Sequence, residues 1–267
     1  MTERKGPYVG NFLAWDGGCL FIGRGGAIVP VHAHYAIQIA FGSVPGIAFR
    51  GSERDDWTSY HGAIIPSRQP HSMDAMHVQP NAVIFVEPET RQGRAIAERW
   101  LEDGIAALPE EVVAELAPPL FRAWSEERSV AAIERASRHV VSALAGGVEP
   151  LVVSDERILR AIAHIREHVD QPLTLDDVAA VAFLSPGRFR HLFVEETGMA
   201  FRPYVLWRRF LEVWGLLAQG ASISAAAHAA GFADAAHLSR TSKQMFGFPP
   251  SGMHVDNPLK PDETAAR

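Results

Sequence analysis

Between Tyr8 and Val86 the apolar residues fall in short blocks, such as Cys19-Leu20-Phe21-Ile22, Ala36-Ile37-Gln38-Ile39-Ala40-Phe41 and Asn81-Ala82-Val83-Ile84-Phe85-Val86, parted by Gly, Pro and Asp. Blocks rich in β-branched and aromatic residues and bounded by turn formers predict strands joined by hairpins. Several of them at a spacing of roughly 8 to 12 residues, with no helical stretch between, predict a small sandwich or barrel of the jelly-roll kind over residues 1–88. After Pro88 the spacing becomes helical, and three helices are expected near Thr90–Ala107, Pro109–Glu127 and Ser129–Ala145, the last stopped by Gly146-Gly147. In the third, Val130, Ile133, Ala136, Val140, Ala143 and Leu144 share one face. Such a stripe suits either packing on the β-domain or a dimerisation surface, so residues 89–150 are read as a helical dimerisation or linker region.

From Ser154 to Met253 the pattern is helical again, and it repeats. Phe189-x-His191-x-Phe193 aligns with Leu238-x-Arg240-x-Ser242, and Gly198 with Gly247, at an offset of 49; Ala179 and Ala227 align at 48. Two copies are too few for a solenoid, which leaves a duplicated functional unit. Each copy predicts two short helices at a steep angle. Thr174 caps the first helix of the first copy, and Ser185-Pro186 opens the second with a cap and a proline at the position where its missing N–H costs nothing. With Phe189, Leu192 and Phe193 turned inward, Gly187, Arg188, Arg190 and His191 face outward in the first turns, where a recognition helix meets base edges. In the second copy Gly231 supplies the turn, and the outward set is Ala235, Ala236, His237, Ser239, Arg240 and Lys243. The apolar helix expected over Phe201–Gln219 packs between the copies and holds the two readers about one DNA turn, roughly 34 Å, apart.

Leu175 to Ala179, Ser185, Phe189, Phe193, Gly198, Tyr204, Arg209, Leu216-Leu217, Ile223, Ala227, Gly231-Phe232, Asp234, Arg240, Lys243, Gly247 and Pro250 together resemble the DNA-binding domain of AraC/XylS-type regulators. The resemblance places that domain at 151–256, followed by a disordered tail at 257–267. It implies a sequence-specific, effector-responsive, homodimeric transcription regulator. Its partners would be double-stranded DNA, a small-molecule effector and a second copy of the chain, with RNA polymerase a further one. The chain departs from the pattern at His191, where Arg is frequent, at Val194, where Lys is common, and at Ser242, where an aromatic usually packs. The first unit is thus expected to grip phosphates less than the second, and the core of the second to be softer.

A second resemblance lies in the N-terminal part. Gly26-x5-His32-x-His34-x3-Gln38-x3-Gly42 with the later Pro66-x4-His71 is similar to a degraded pair of cupin motifs, which implies a cupin-like sensor. The fold class is therefore α+β and multidomain, a cupin-like β-barrel or jelly roll with following helices and an all-α double helix-turn-helix domain. Gln38 stands where a Glu ligand is usual. His32, His34, Gln38 and His71 are accordingly read as an effector-binding set without metal or other cofactor. Trp15, Phe21, Phe41, Phe49 and Trp57 suit either a core or an apolar pocket.

Composition narrows the field further. A formal net charge of −6 speaks against a nonspecific architectural DNA protein, while leaving room for a local basic face. Cys19 is the single cysteine, which excludes an internal disulfide or a cysteine zinc cluster. The chain holds no apolar run of spanning length and opens without a signal-like stretch, so no membrane partner and a cytoplasmic address are expected. No catalytic residues are assigned. The competing reading is a cupin-type metalloenzyme with an accessory DNA-binding domain.

Overall fold

The block 19–22 has no polar member because its strand is covered on both faces, as continuous apolar strands generally are. The computed structural model describes residues 8–25, 28–88, 90–149, 153–255 and 259. Gly26 of the histidine motif and all but Leu259 of the expected tail lie outside them. Eleven strands are described: β1 (Tyr8–Trp15), β2 (Gly18–Gly25), β3 (Val29–His32), β4 (Ile37–Gly42), β5 (Ile47–Arg50), β6 (Thr58–Tyr60), β7 (Gly62–Ile65), β8 (His71–Asp74), β9 (Asn81–Val86), β10 (Ala106–Leu108) and β11 (Met253–Val255). They form two open sheets, one in the order β10-β7-β4-β9-β2-β1-β11 and one in the order β3-β8-β5-β6. Alternation along the strands sends Phe21, Ala40, Val83 and Phe85 to one face of the larger sheet, where Ile47, Phe49 and Met73 of the smaller sheet meet them. Leu20, Ile22, Ile39 and Ile84 go to the other face.

That other face is roofed by helices α1 (Arg91–Trp100), α2 (Glu110–Arg122) and α3 (Val130–Leu144). The helix expected to reach Ala107 ends at Trp100. Ala106–Leu108 instead forms β10, with Ala106 opposite Ile64 and Leu108 opposite Gly62. Gly104 at φ +65° turns the chain, and β7 offers open ladder groups that outweigh a weak local preference. The second helix carries Pro118 and Pro119 and finishes in a π turn over Ala123–Glu127. On α3, Ile133, Val140 and Leu144 of the apolar stripe are buried in the core under the sheet, while Val130 and Ala136 are half-buried and Ala143 is exposed.

Six further helices follow: α4 (Glu156–Glu167), α5 (Leu175–Val181), α6 (Pro186–Thr197), α7 (Phe201–Ala218), α8 (Ile223–Ala229) and α9 (Ala235–Phe246). Helix α7 divides its apolar residues between two cores. Phe201, Tyr204 and Val205 join α4, α5 and α6. Trp207, Phe210, Val213 and Trp214 join α8, α9 and the strands. Trp214 lies 5.3 Å from Phe21 and 5.8 Å from Phe12 between ring centres, and Phe246 lies 5.5 Å from Phe85. Beyond α9 the chain returns to the sheet, and β11 pairs in parallel with β1, Tyr8 opposite Met253. The second helical unit and the sheets thus share one apolar core, which the reading of separate domains does not anticipate.

Candidate functional site

In the first helix pair the caps act as their residue types predict. Thr174 accepts from the Asp177 amide at the start of α5, and Ser185 accepts from the Arg188 amide at the start of α6, with Pro186 behind it. Between them Phe183 sits at φ +54° and is 82% exposed, its ring under the Arg160 guanidinium at 5.2 Å. Phe189, Leu192 and Phe193 are buried on Val178, Ala179 and the isoleucines of α4. Gly187, Arg188, Arg190 and His191 are all exposed on the opposite side.

The second pair repeats the construction. Ser222 caps α8, and Asp234 accepts from the His237 amide at 2.6 Å to open α9. Ala236, His237, Arg240 and Lys243 are exposed, while Ala235 and Ser239 are half-buried. Ser242 is buried, and its hydroxyl donates to the Phe248 carbonyl at 2.8 Å. Phe210, Phe232, Phe246 and Phe248 pack on one another in the same unit.

The two pairs are locked by the 169–171 connector. Arg209 of α7 donates to the carbonyls of Val169 at 3.1 Å and Gln171 at 2.8 Å. Gly231, at φ +73°, lies so close that a Cβ would stand 2.7 Å from the Val169 oxygen and 2.8 Å from that of Asp170. Arg209 and Gly231, both among the residues that carry the resemblance, therefore serve one purpose, holding the second helix pair to the connector that leads into the first.

On the sensor side, β3 and β8 bring His32 opposite His71 in register, and His34 folds in beside them. Ring centres lie 4.3 Å apart for His32 and His71, 5.0 Å for His34 and His71, and 5.5 Å for His32 and His34. One ring nitrogen from each falls within 4.8 Å of the others. Gln38 joins the cluster, with Oε1 2.8 Å from His34 Nε2 and 3.2 Å from His71 Nε2. Burial, then the neighbouring His32, lowers the pKa of His34 to about 4; burial, then His32 and His34, lowers that of His71 to about 3. His61 and His77 stand apart, His61 near Glu110 and His77 exposed. The cavity beside the cluster measures only about 30 Å³ and is lined by His32, Gln38, Met73, Phe85 and, from the second reader's side, Phe246 and Phe248. Sequence reasoning missed these last two, since nothing in a helical pattern says which distant sheet will cover an aromatic residue.

A larger cavity, about 420 Å³, lies at the seam between the β1–β2 turn and helices α3, α4 and α7. Arg138, Arg166, Arg208, Tyr204 and Asp16 line it. Asp16, in the β1–β2 turn, pairs with Arg166 at 2.9 Å and Arg208 at 3.6 Å. Glu87 is buried at the same seam. Its pKa is pushed up to about 8 by burial and then by Asp16, with Arg208 opposing. Of the candidate pocket aromatics, Trp15 borders this cavity and Phe21 the smaller one; Phe41 and Phe49 are core, and Trp57 stacks with Arg50 at 4.6 Å.

Residues 178–254 match the model of a helix-turn-helix domain family. The search of curated proteins finds no match. Among solved structures, the fold is similar to that of an apo ToxT variant from Vibrio cholerae strain SCE256, with a TM-score of 0.51 and 11% identity over 91% of this chain and 97% of that one. A transcriptional regulator from Chromobacterium violaceum with an AraC-type DNA-binding domain is 27% identical over 36% of this chain and 87% of its own, at a TM-score of 0.34. The DNA-binding domain of AdpA, solved with a target DNA, is 25% identical over 37% of this chain and 88% of its own, also at 0.34. No helix among the described residues is long and apolar enough to cross a membrane. With two capped helix pairs locked in tandem and the helix-turn-helix model matched over residues 178–254, the chain is a DNA-binding transcription regulator.

Proposed function

We propose that the chain regulates transcription at specific DNA sequences in response to an effector, acting as a homodimer through a cupin-like sensor. One observation carries the reading: α9 exposes His237, Arg240 and Lys243 on one side while Phe246 at its end is buried among the sensor strands. A ligand that prefers one arrangement of that contact shifts how the second reader is presented. An organic effector finds room in the seam cavity of about 420 Å³, whose arginines suit a molecule with an anionic group. The space of about 30 Å³ beside the histidines holds roughly one water, which disfavours an organic substrate there and with it the metalloenzyme reading.

Incubating the purified chain with fragmented genomic DNA and sequencing what it retains tests the proposal. Retained fragments should share a motif with two contacted segments about one helical turn apart. Equal retention of random and genomic DNA at matched salt would count against sequence-specific regulation.

A further inference from the structure

We propose that the Glu87 carboxyl and the apolar cavity beside it form a binding site for a hydrophobic organic cation, an amine with an alkyl or aryl body, where the sensor meets the second reader. The cavity measures about 330 Å³, within the range of roughly 300 to 1,000 Å³ that small-molecule sites occupy. Tyr35 and Ala36 line it from the sensor, Leu206 and Trp207 from α7, and Met245 from α9. Glu87 and Trp207 also border the seam cavity and so stand between the two spaces. The charged residues of the lining are Glu87 and Arg202, and Arg202 is exposed, with its head free to stay in water. Glu87 is different. Its backbone is fixed, the amide donating to the Gly17 carbonyl at 3.0 Å and the carbonyl accepting from the Thr90 hydroxyl at 2.7 Å. The residue is 5% exposed, and its carboxyl makes no hydrogen bond or ion pair among the described residues. A buried carboxyl facing a cavity without a partner must stay protonated or be met by a guest.

The surrounding charges select a positive guest. Asp16 of the β1–β2 turn acts on Glu87 more strongly than Arg208 of α7 does, and the carboxyl keeps its proton up to about pH 8. Arg208 and Arg166 of α4 are themselves engaged by Asp16, at 3.6 and 2.9 Å. Arg138 of α3 and Tyr204 of α7 line the seam cavity but not this one, and the Cys19 thiol of β2 is held uncharged by burial. An ammonium group can therefore take the place of the proton that Glu87 holds. Its apolar body would lie on Leu206 and Trp207 and on the adaptable thioethers of Met199 and Met245, with Trp207 supplying an aromatic ring for the charge. Such a guest touches the sensor, α7 and α9 at once, so it favours one arrangement of the second reader over others.

The site stands on the cavity and Glu87 alone, and its effect on DNA rests on the regulator reading. The full-length chain is titrated by calorimetry with n-decylamine, 1-decanol and decanoate, which share an apolar body and differ in charge. Decylamine stays protonated near neutral pH, as a lysine side chain does. One molecule per chain is expected, bound at least tenfold more tightly than decanol, with about one proton released at pH 7 and an affinity that rises about tenfold from pH 6 to pH 7. Glu87→Gln should lose the preference for the amine and the pH slope while still binding decanol, which a misfolded variant could not do. No saturable decylamine binding, decanol or decanoate binding as tightly, or an unchanged amine affinity in Glu87→Gln overturns the site. Propylamine binding as tightly as decylamine overturns the part given to the apolar cavity. Affinity for a retained genomic fragment is expected to change at least threefold on loading; full loading with unchanged DNA affinity overturns the coupling. Failure to bind any genomic fragment in either state overturns the regulator reading and leaves the calorimetric result standing.

Discussion

Arg240 and Lys243 stand one turn apart on the exposed side of α9, yet their losses should read out differently. If Arg240 meets a guanine edge, Arg240→Ala costs about 1 to 3 kcal/mol and relaxes sequence preference at one position. If Lys243 meets a phosphate, Lys243→Ala weakens all sequences alike and lowers the salt slope by about one. Competition binding at two salt concentrations separates them, and equal effects of both changes would sink the division of roles. Glu87 makes a different kind of prediction. Its folded pKa, about 8, exceeds its ordinary value, so the folded state holds a proton that the unfolded chain has released. Stability from this group is complete below about pH 4.5 and is lost as pH rises toward 8, by up to about 1.4 kcal/mol per pH unit. Glu87→Gln should flatten that decline; parallel curves for the two proteins between pH 5 and 8, by thermal unfolding, would exclude it.

At the scale of elements, what the sequence announces is what local chemistry decides. Thr174, Ser185, Ser222 and Asp234 each cap the helix their residue types predict, because the bond they make lies within three residues. Strands β10 and β11 are different: three residues carry too little periodicity to be read, and each exists because a distant strand leaves its edge open. The histidine cluster falls between these cases. Its residues were legible as a set, but the carbonyls of Pro30, Ala36 and Gln69 that fix their tautomers follow from loop geometry. Gly231 was legible as a turn residue, whereas the closeness of the 169–171 connector was not. Gly231→Ala combines a positive φ with a Cβ 2.7 Å from a backbone oxygen, so a loss of about 2 kcal/mol or more is expected. Because the same contact sets reader against reader, affinity for a two-segment DNA site should fall more than affinity for a single segment. An equal fall on both would show that the connector does not set the spacing.

At the scale of the whole molecule, the sensor and the second reader are joined through aromatic side chains whose positions were legible as helical core but whose partners were not. Tyr204, Trp207 and Trp214 follow core spacing along α7, and periodicity says only that a face is covered. The covering surface for Trp214 is Phe12 and Phe21 of the sheets together with Phe246 and Phe248. Two units sharing such a core should unfold together, because exposing either strips the other of buried apolar surface. Trp214→Ala removes the largest fully buried side chain of that junction and should cost about 3 to 5 kcal/mol. It should also split a single calorimetric transition into two, as the sheets and the helices come apart. Trp214→Phe serves as the control: the indole N–H is buried without a hydrogen-bond partner, so replacing it deletes an unsatisfied donor and keeps most of the ring. Its loss should be small and its transition single. If Trp214→Ala melts in one transition as the natural chain does, Trp214 is not what makes sensor and reader a cooperative unit, and the coupling is carried by the other contacts of the junction, such as the β1–β11 pairing and Phe246 on Phe85.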